Sequence, residues 1–239
     1  MNIKEKRIQL KQERIMNYFI EATEEIIQKE GIEGVTIRNV ANLAGYTSAT
    51  LYNYFDNLSH LIFLANMHYL EEYNNSLVDC IADCKNSIEI YMSVCKCFSI
   101  HAYEKPEIFE LLFFSHGDEK FEKYTKQYYE LYPEVNEHEG PEFLDKMFHI
   151  NNLYSRSYTM LENCVKDGYI EKCSARTFND ICLRFNKTIL EDVKIGVLDK
   201  EKALSMTIKY YYQLFGFYLK PEYKHLLEDY YTKLIKKNS

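Results

Sequence analysis

Glycine and proline are scarce in this sequence. Its 239 residues include eight glycines and four prolines, and no proline precedes Pro106. Long segments therefore lack the residues that usually mark turns. No segment alternates apolar and polar residues between turn signals, as a half-buried strand would. Because 46% of the residues are hydrophobic and 27% are charged, the chain has ample material for a core. We expect an all-α fold.

Long hydrophobic runs are absent as well. No apolar stretch approaches the ~18 residues that a membrane-spanning helix needs. The N-terminal segment MNIKEKRIQLKQER has no apolar centre of the kind found in signal peptides. We therefore expect no membrane association and a cytoplasmic location.

The cysteines do not form a recognisable ligand or disulfide pattern. There are seven of them, an odd number, and the sequence carries no export signal, which together favour reduced thiols. Cys80 and Cys84 are one helical turn apart, and Cys95 and Cys97 are two residues apart. Neither pair has the spacing and the second ligand pair of a zinc site. Buried thiols are the favoured interpretation, a redox or metal role is the alternative, and we predict no metal site.

Catalytic motifs are also missing. The seven histidines are scattered, and the sequence contains no HExxH, no glycine-rich phosphate loop and no nucleophile elbow. A helical enzyme would need polar residues converging on a cavity, and the sequence shows no such set. We predict no catalytic residues, no cofactor and no enzymatic activity.

The first 60 residues contain three closely spaced helical segments. A first helix is predicted from Lys6 to Lys29 and should end at Gly31, because glycine favours a left-handed turn. Its apolar stripe consists of Ile15, Phe19, Ala22 and Ile26. A short second helix is predicted after the N-cap Thr36, and Gly45 should end it. A third should run from about Thr47 to Phe55. Three such helices with a glycine turn are typical of a helix-turn-helix.

A long fourth helix is expected to follow the cap residues Asp56 and Asn57. Its apolar side would carry Leu61, Ala65 and His68.

The segment Val35 to Leu61, VTIRNVANLAGYTSATLYNYFDNLSHL, resembles the TetR family of bacterial repressors. The matching positions are Thr36-Ile37, Val40-Ala41, Ala44-Gly45, Leu51-Tyr52, Tyr54-Phe55 and Leu61. The resemblance implies a helix-turn-helix DNA-binding domain over residues 1–57. It also implies a helical ligand-binding and dimerisation domain over residues 58–239. The protein is thus expected to be a homodimer that reads a palindromic DNA operator and responds to a small-molecule effector.

The third helix should point Leu51 and Phe55 inward, which leaves polar and aromatic side chains for the DNA groove. Asn53 can pair with adenine edges, while the resemblance implies phosphate contacts from Tyr52 and Tyr54. Packing remains an alternative role for the two tyrosines. The predicted DNA-binding residues are Arg38, Thr47, Ser48, Thr50, Tyr52, Asn53, Tyr54 and His60.

Charge weakens the expectation of tight DNA binding. The family usually has a phosphate-binding lysine at the start of the fourth helix, where this sequence has Leu58, and His60 would replace it in part. The chain carries a net charge of −7. Its basic residues near the DNA-binding segment are concentrated at the extreme N-terminus, which is either a DNA contact or a disordered tail. The alternative is therefore a TetR-like protein that does not bind DNA and acts as a protein-binding coactivator.

The remainder of the chain is rich in aromatic residues, since the sequence has 22 tyrosines and 14 phenylalanines. Rings with polar tips suit a ligand cavity, although they suit a core equally well. The predicted ligand-binding residues are Phe113, Tyr128, Tyr154 and Tyr158. Two late apolar stripes are candidates for the dimer interface, with intrachain core as the alternative. They are Phe178, Cys182, Phe185, Ile189 and Val193, and Leu204, Ile208, Tyr211, Phe215 and Tyr218.

Overall fold

The computed structural model describes residues 2–115, 117–133, 140–148, 150 and 152–237. Within them the chain forms α-helices, short 3-10 turns and no strand, which confirms the all-α prediction. The helices are α1 (Ile3–Glu30), α2 (Ile37–Ala44), α3 (Ser48–Leu51), α4 (Leu58–Ala65), α5 (Met67–Ile81), α6 (Ser87–Glu104), α7 (Pro106–Phe113), α8 (Asp118–Leu131), α9 (Glu142–Phe148), α10 (Leu153–Lys166), α11 (Lys172–Lys194), α12 (Lys200–Tyr218) and α13 (Lys224–Lys237). None of the helices in these ranges is both long enough and apolar enough to cross a membrane.

The helices divide into two compact units. The N-terminal unit comprises Met1–Leu70 together with Glu122–Glu137, so it includes most of α8. The C-terminal unit comprises Glu71–Phe121 and His138–Ser239.

Helix α1 begins in a fully formed capping box. The side chain of Asn2 accepts hydrogen bonds from the backbone of Lys4 and Glu5, and the Glu5 carboxylate accepts one from the Asn2 backbone N–H. The predicted stripe is confirmed, since Ile15, Phe19, Ala22 and Ile26 are all buried. The helix ends at Gly31, whose φ of 76° is in the region that glycine adopts without strain.

Phe19 is at the centre of the N-terminal unit's core. Its ring contacts Phe55 edge-on at 5.9 Å and Tyr46 at 5.5 Å. Helix α8 contributes a distant part of the sequence to the same unit: Tyr124 packs on Phe63 at 5.5 Å, and the Tyr132 hydroxyl donates to Asn17 Oδ1 at 2.9 Å. The core of the N-terminal unit is therefore completed by residues more than fifty positions beyond Phe63 in sequence.

The predicted long fourth helix is interrupted. Helix α4 ends at Ala65, and α5 begins after Asn66. The Asn66 backbone N–H donates to the carbonyls of Ile62 and Phe63, and its buried side-chain amide donates to the Ile62 carbonyl at 2.7 Å. A short polar side chain that bonds to the preceding turn competes with the regular helical pattern. The sequence expectation of one continuous helix is therefore wrong.

The core of the C-terminal unit is built around α6. Tyr91 of this helix contacts Phe178 of α11 and Phe215 of α12, with ring centroids 5.6 and 5.3 Å apart. Phe178 and Phe215 stack on each other at 5.0 Å. A buried hydrogen bond of 2.6 Å joins the hydroxyls of Tyr103 and Thr207.

This packing corrects the prediction of the dimer interface. Most of the two apolar stripes is buried by the chain itself, so these side chains are not available to a partner. The buried members are Phe178, Cys182, Ile189, Ile208, Tyr211 and Phe215. The intrachain-core alternative is the correct one for them, because the most apolar face of each helix is covered by neighbouring helices of the same chain.

Candidate nucleic-acid interface and core cavity

The turn between α2 and α3 is fixed by its backbone. Thr36 caps α2 through its hydroxyl, which accepts from the Asn39 N–H at 3.2 Å, as predicted. Gly45 ends the helix in the left-handed conformation, with φ 76° and ψ 25°. The next residue, Tyr46, returns its N–H to the Ala41 carbonyl at 2.9 Å, which completes a Schellman-type cap. A Cβ at Gly45 would meet open space, so the dihedral angle and not packing demands glycine.

Helix α3 is shorter than predicted. Thr47 caps it by accepting from the Thr50 N–H at 3.2 Å, and α-helical bonding ends at Leu51. Hydrogen-bonded turns continue to Phe55, whose N–H donates to the Leu51 carbonyl at 3.1 Å. Leu51 and Phe55 are buried, which confirms the prediction that they anchor this segment inward.

The anchored segment exposes most of the predicted DNA-binding side chains. Tyr52 is 53% exposed, and the others in this group are exposed or half-buried. They are Arg38, Thr47, Ser48, Thr50, Tyr52, Asn53 and Tyr54.

His60 is the exception among the predicted contacts. Its side chain is only 1% exposed, and its ring stacks on Tyr124 with centroids 3.8 Å apart. Nδ1 accepts a hydrogen bond from the Asp56 N–H at 3.1 Å. The expectation of a DNA contact from His60 is therefore corrected: the residue belongs to the core and holds the start of α4 against α8.

Positive charge is sparse on the exposed segment itself. No lysine or arginine occurs between Arg38 and Lys85. The local cations are on α1, where the exposed residues Lys4, Arg7, Lys11 and Arg14 follow one another at spacings of three and four. Such spacings put all four on one face of a helix, which we call the basic stripe.

Tyr18 extends the line of the basic stripe by one turn, and its ring is 6.2 Å from that of Tyr46 in the turn before α3. The basic stripe is thus on the side of α1 that leads to the helix-turn-helix. Sequence reasoning recognised the basic N-terminus but not this alignment.

A further cation reaches the start of α4 from a distant part of the sequence. Lys123 of α8 forms a 2.5 Å ion pair with Asp56. This hydrogen bond lowers the pKa of the Asp56 carboxyl, and the charges of His60 and Lys123 act in the same direction. Asp56, the partner of Lys123, is two residues before Leu58, where the resemblance implies a lysine, and the carboxylate largely balances the charge of the ammonium. Nothing in the local sequence indicates this pair, because its members are 67 residues apart.

The C-terminal unit contains a small core cavity. Its free volume is about 30 Å³, enough for one or two waters. The wall is mainly aromatic and aliphatic, and its polar groups include Arg156, Asn186 and Tyr211. Arg156 is buried, and its guanidinium donates to Asn74 Oδ1 at 2.8 Å and to the Phe148 carbonyl at 3.2 Å.

The predicted ligand-binding residues do not converge on this cavity. Phe113 lines it. Tyr154 and Tyr158 stack on each other along α10 at 6.2 Å and are not part of its wall. Tyr128 is buried in the N-terminal unit. Sequence reasoning missed Arg156, because an arginine between polar neighbours on a helix gives no signal of burial.

Residues 19–63 match the family model described as bacterial regulatory proteins, tetR family. No curated protein sequence matches the chain significantly. Among solved structures, a TetR-family regulator described as putative, from Syntrophomonas wolfei, superposes with a TM-score of 0.55 at 14% identity, covering 84% of this chain and 95% of its own. One from Mesorhizobium loti gives 0.52 at 11% identity, with coverage of 87% and 98%. The repressor FadR of Thermus thermophilus, solved in complex with lauroyl-CoA, gives 0.50 at 12% identity, with coverage of 81% and 91%.

These similarities agree with the geometry of residues 36–55, where capped helices flank a left-handed glycine. At such low identity the solved structures establish the fold alone. The family model matches the segment that contains the helix-turn-helix, residues 19–63. Residues 19–63 of this chain therefore match the N-terminal region of the tetR family of bacterial regulatory proteins, and the chain has the fold of solved TetR-family regulators.

Proposed function

We propose that the protein is a ligand-responsive transcriptional regulator, most simply a repressor, that binds a palindromic operator as a homodimer. In this proposal residues 1–57 read DNA, and residues 58–239 bind the effector and dimerise. The observation that carries it is the segment after Gly45. Its apolar residues are buried, and its short polar and aromatic side chains are exposed in the manner that a major groove requires.

The exposed side chains divide by chemistry into two groups. Ser48, Thr50 and Asn53 offer hydroxyl and amide groups to base edges, and an amide can pair with both N6 and N7 of adenine. Tyr52 and Tyr54 offer hydroxyls to phosphates, which would position the segment without reading sequence.

The basic stripe on α1 supplies the electrostatic attraction that the recognition segment lacks. Protein–DNA affinity depends strongly on phosphate neutralisation, and Arg38 alone is a weak source of it. Because the stripe leads to Tyr18 and Tyr46, a duplex docked on α3 would pass along the same side of α1. We therefore assign phosphate contacts to the stripe.

For the dimer we propose a face of α12 different from the buried stripes. Met206, Tyr210, Leu214 and Phe217 follow one another at helical spacing and remain exposed or half-buried. Phe217 is 76% exposed and Tyr210 38%, which is unusual for large apolar side chains unless a partner covers them. A second copy of the chain is the proposed occupant, because two copies of one helix face pack on each other around a two-fold axis.

Self-association tests this assignment. Phe217→Ser is expected to shift the protein from dimer to monomer in sedimentation or light scattering at micromolar concentration. Leu10→Ser removes an exposed leucine of α1 and serves as the control, with no expected change. If the Phe217 variant stays as dimeric as the parent protein, the α12 face is not the interface.

The effector is proposed to bind in the core of the C-terminal unit. FadR of T. thermophilus was solved with lauroyl-CoA, so a regulator of this fold can hold a small molecule. The cavity beside Arg156 is the natural starting point here, since it combines apolar walls with a few polar groups. A ligand that favours one conformation of the dimer would change operator affinity, and DNA would change ligand affinity by the same factor.

DNA binding is tested by selecting bound duplexes from a random library at low ionic strength. We expect enrichment of a palindrome whose half-sites are about one helical turn apart or a multiple of that spacing. The double variant Tyr52→Ala with Asn53→Ala should lose the enrichment while keeping the parent's circular dichroism spectrum and melting temperature. Folded dimer that enriches no sequence and retains no duplex would contradict the proposal.

A second candidate function is protein binding without DNA binding. The absence of lysine and arginine from Arg38 to Lys85, together with Leu58 at the start of α4, favours it. The same selection separates the two, since a coactivator would show no salt-sensitive retention of any duplex.

A further inference from the structure

Three cysteines meet in a surface groove of the C-terminal unit. The groove has a volume of about 510 Å³ and is lined by the end of α5, by α6 and by α13. Cys80, Cys84 and Cys97 all contribute to its wall. Cys80 is exposed, Cys84 is half-buried and Cys97 is buried. The function proposed above makes no use of this cluster.

Cys80 and Cys97 line the same side of the groove. Ser76, one helical turn before Cys80 on α5, has its hydroxyl 3.2 Å from Cys97 Sγ. Hydrogen bonding from Cys97 lowers the pKa of Cys80 to about 7. The positive charge of Lys96 acts in the same direction, while partial burial and Asp79 oppose it. The same hydrogen bond, together with burial, raises the pKa of Cys97.

The Cys97 thiol is held in place by a short chain of hydrogen bonds. Cys97 Sγ is 3.2 Å from Ser76 Oγ, which is 2.9 Å from Nε2 of His101. Burial lowers the pKa of His101. The imidazole at the end of this chain of hydrogen bonds is therefore mainly neutral near neutral pH.

Four other thiols are less reactive than Cys80, because burial disfavours their thiolate forms. Cys84 bonds to the Ser93 hydroxyl at 3.1 Å, and burial raises its pKa. Burial also raises the pKa of Cys95, Cys164 and Cys182. An accessible thiolate beside a second thiol is the arrangement found at reversible oxidation sites. Of the cysteines that line the groove, Cys80 alone is exposed.

We propose that Cys80 is a site of reversible oxidation by hydroperoxides and that Cys97 resolves it to an intrachain disulfide. In the first step the Cys80 thiolate attacks one oxygen of the hydroperoxide and the O–O bond breaks. Sulfur is oxidised to sulfenic acid, the peroxide is reduced, and its alkoxide or hydroxide takes a proton from water. In the second step the Cys97 sulfur attacks Cys80, the S–O bond breaks, and the departing hydroxide leaves as water with the Cys97 proton.

The product would join the end of α5 to the middle of α6 across the groove. Thiol reductants would reverse it, since a disulfide at the surface of a groove is open to exchange. This inference is independent of DNA binding, because it concerns thiols of the C-terminal unit alone.

Peptide mapping of the full chain tests the proposal. Folded protein is treated with a small excess of hydrogen peroxide, alkylated, and digested with trypsin without reduction. Cleavage after Lys96 separates Cys97 from Cys95, while Cys80 and Cys84 remain on one peptide because no lysine or arginine lies between them. We expect a linked pair of these two peptides, lighter by two hydrogens than their sum and separated by dithiothreitol.

Single cysteine variants show which sulfur atoms form the disulfide. Cys84→Ser should keep the linked pair, and Cys80→Ser should abolish it with an unchanged melting temperature. Cys97→Ser retains a hydroxyl beside Cys80 but cannot form the disulfide, so oxidation should stop at a sulfenic acid that dimedone traps on Cys80. Alkylation of reduced Cys80 by iodoacetamide should reach half its maximal rate near pH 7.

The proposal is overturned if peroxide-treated folded protein shows Cys80 and Cys97 on separate peptides. It is equally overturned if the linkage requires Cys84, or if the only disulfide formed joins two chains.

Discussion

The basic stripe of α1 allows a quantitative test of DNA binding that requires no knowledge of the operator. Non-specific binding to any duplex is electrostatic, and log K falls with log salt by about 0.9 for each phosphate neutralised. We consider the double variant Arg7→Gln with Lys11→Gln, which removes two adjacent members of the stripe. Both side chains are exposed on α1, so the change should leave the fold intact.

The expected effect follows from the number of contacts removed. Two lost phosphate contacts should make the salt slope shallower by about 1.8. Between 50 and 200 mM salt each phosphate contact changes the affinity by a factor of about 3.5. Over that range the affinity of the parent protein should therefore fall by a factor roughly ten times larger than that for the variant. The assay is fluorescence anisotropy with a labelled duplex at four or more salt concentrations.

A matched control separates local contact from overall charge. Lys6→Gln with Lys172→Gln removes the same number of charges, but Lys6 is on another side of α1 and Lys172 is an exposed residue at the start of α11. Its slope should equal that of the parent. If both double variants flatten the slope equally, net charge governs binding and the stripe has no special role.

Two further predictions concern stability, measured by urea unfolding. Gly45→Ala should destabilise by about 1 kcal/mol because φ is 76°. Gly216→Ala, inside α12, should be neutral or stabilising, because the added Cβ would make an ordinary van der Waals contact with Leu227 and alanine favours the helix. Equal effects would mean that the backbone angle is not what demands glycine at position 45. Tyr103→Phe should lower the free energy of unfolding by about 1–3 kcal/mol, because it removes the buried hydrogen-bond partner of the Thr207 hydroxyl. Tyr154→Phe, at an exposed position, is the control and should change the free energy of unfolding by less than about 0.5 kcal/mol.

Local chemistry made the helix-turn-helix predictable from sequence. Thr36 as N-cap and Gly45 as left-handed terminator each act within a few residues, so their roles are visible in the sequence alone. The inward direction of Leu51 and Phe55 follows from helical spacing in the same way. The α4–α5 break escaped prediction because Asn66 interrupts the helix through its own side chain, while the apolar spacing around it continues unchanged.

Contacts between distant segments account for the remaining errors. In the sequence His60 looks like a surface residue beside the helix-turn-helix, but in the structure Tyr124 of α8 covers its ring. The apolar stripes of α11 and α12 were wrongly predicted to form the dimer interface. Sequence spacing reveals that a helix face is apolar, but it does not reveal which other helix covers that face. The cavity residues could not be found because burial of Arg156 depends on Asn74 and Phe148, which come from two other helices.

The small size of the core cavity has a consequence for any effector. At about 30 Å³ the space is an order of magnitude below the 300 Å³ or more that encloses a drug-sized molecule. A ligand of that size must therefore separate rings that now touch, and the apparent dissociation constant is weakened by the rarity of the open conformation. Under the proposed function, a substitution that shortens a wall side chain would tighten effector binding without adding a favourable contact, because it makes the open conformation less rare. The shape of the present cavity therefore does not define the shape of the proposed effector.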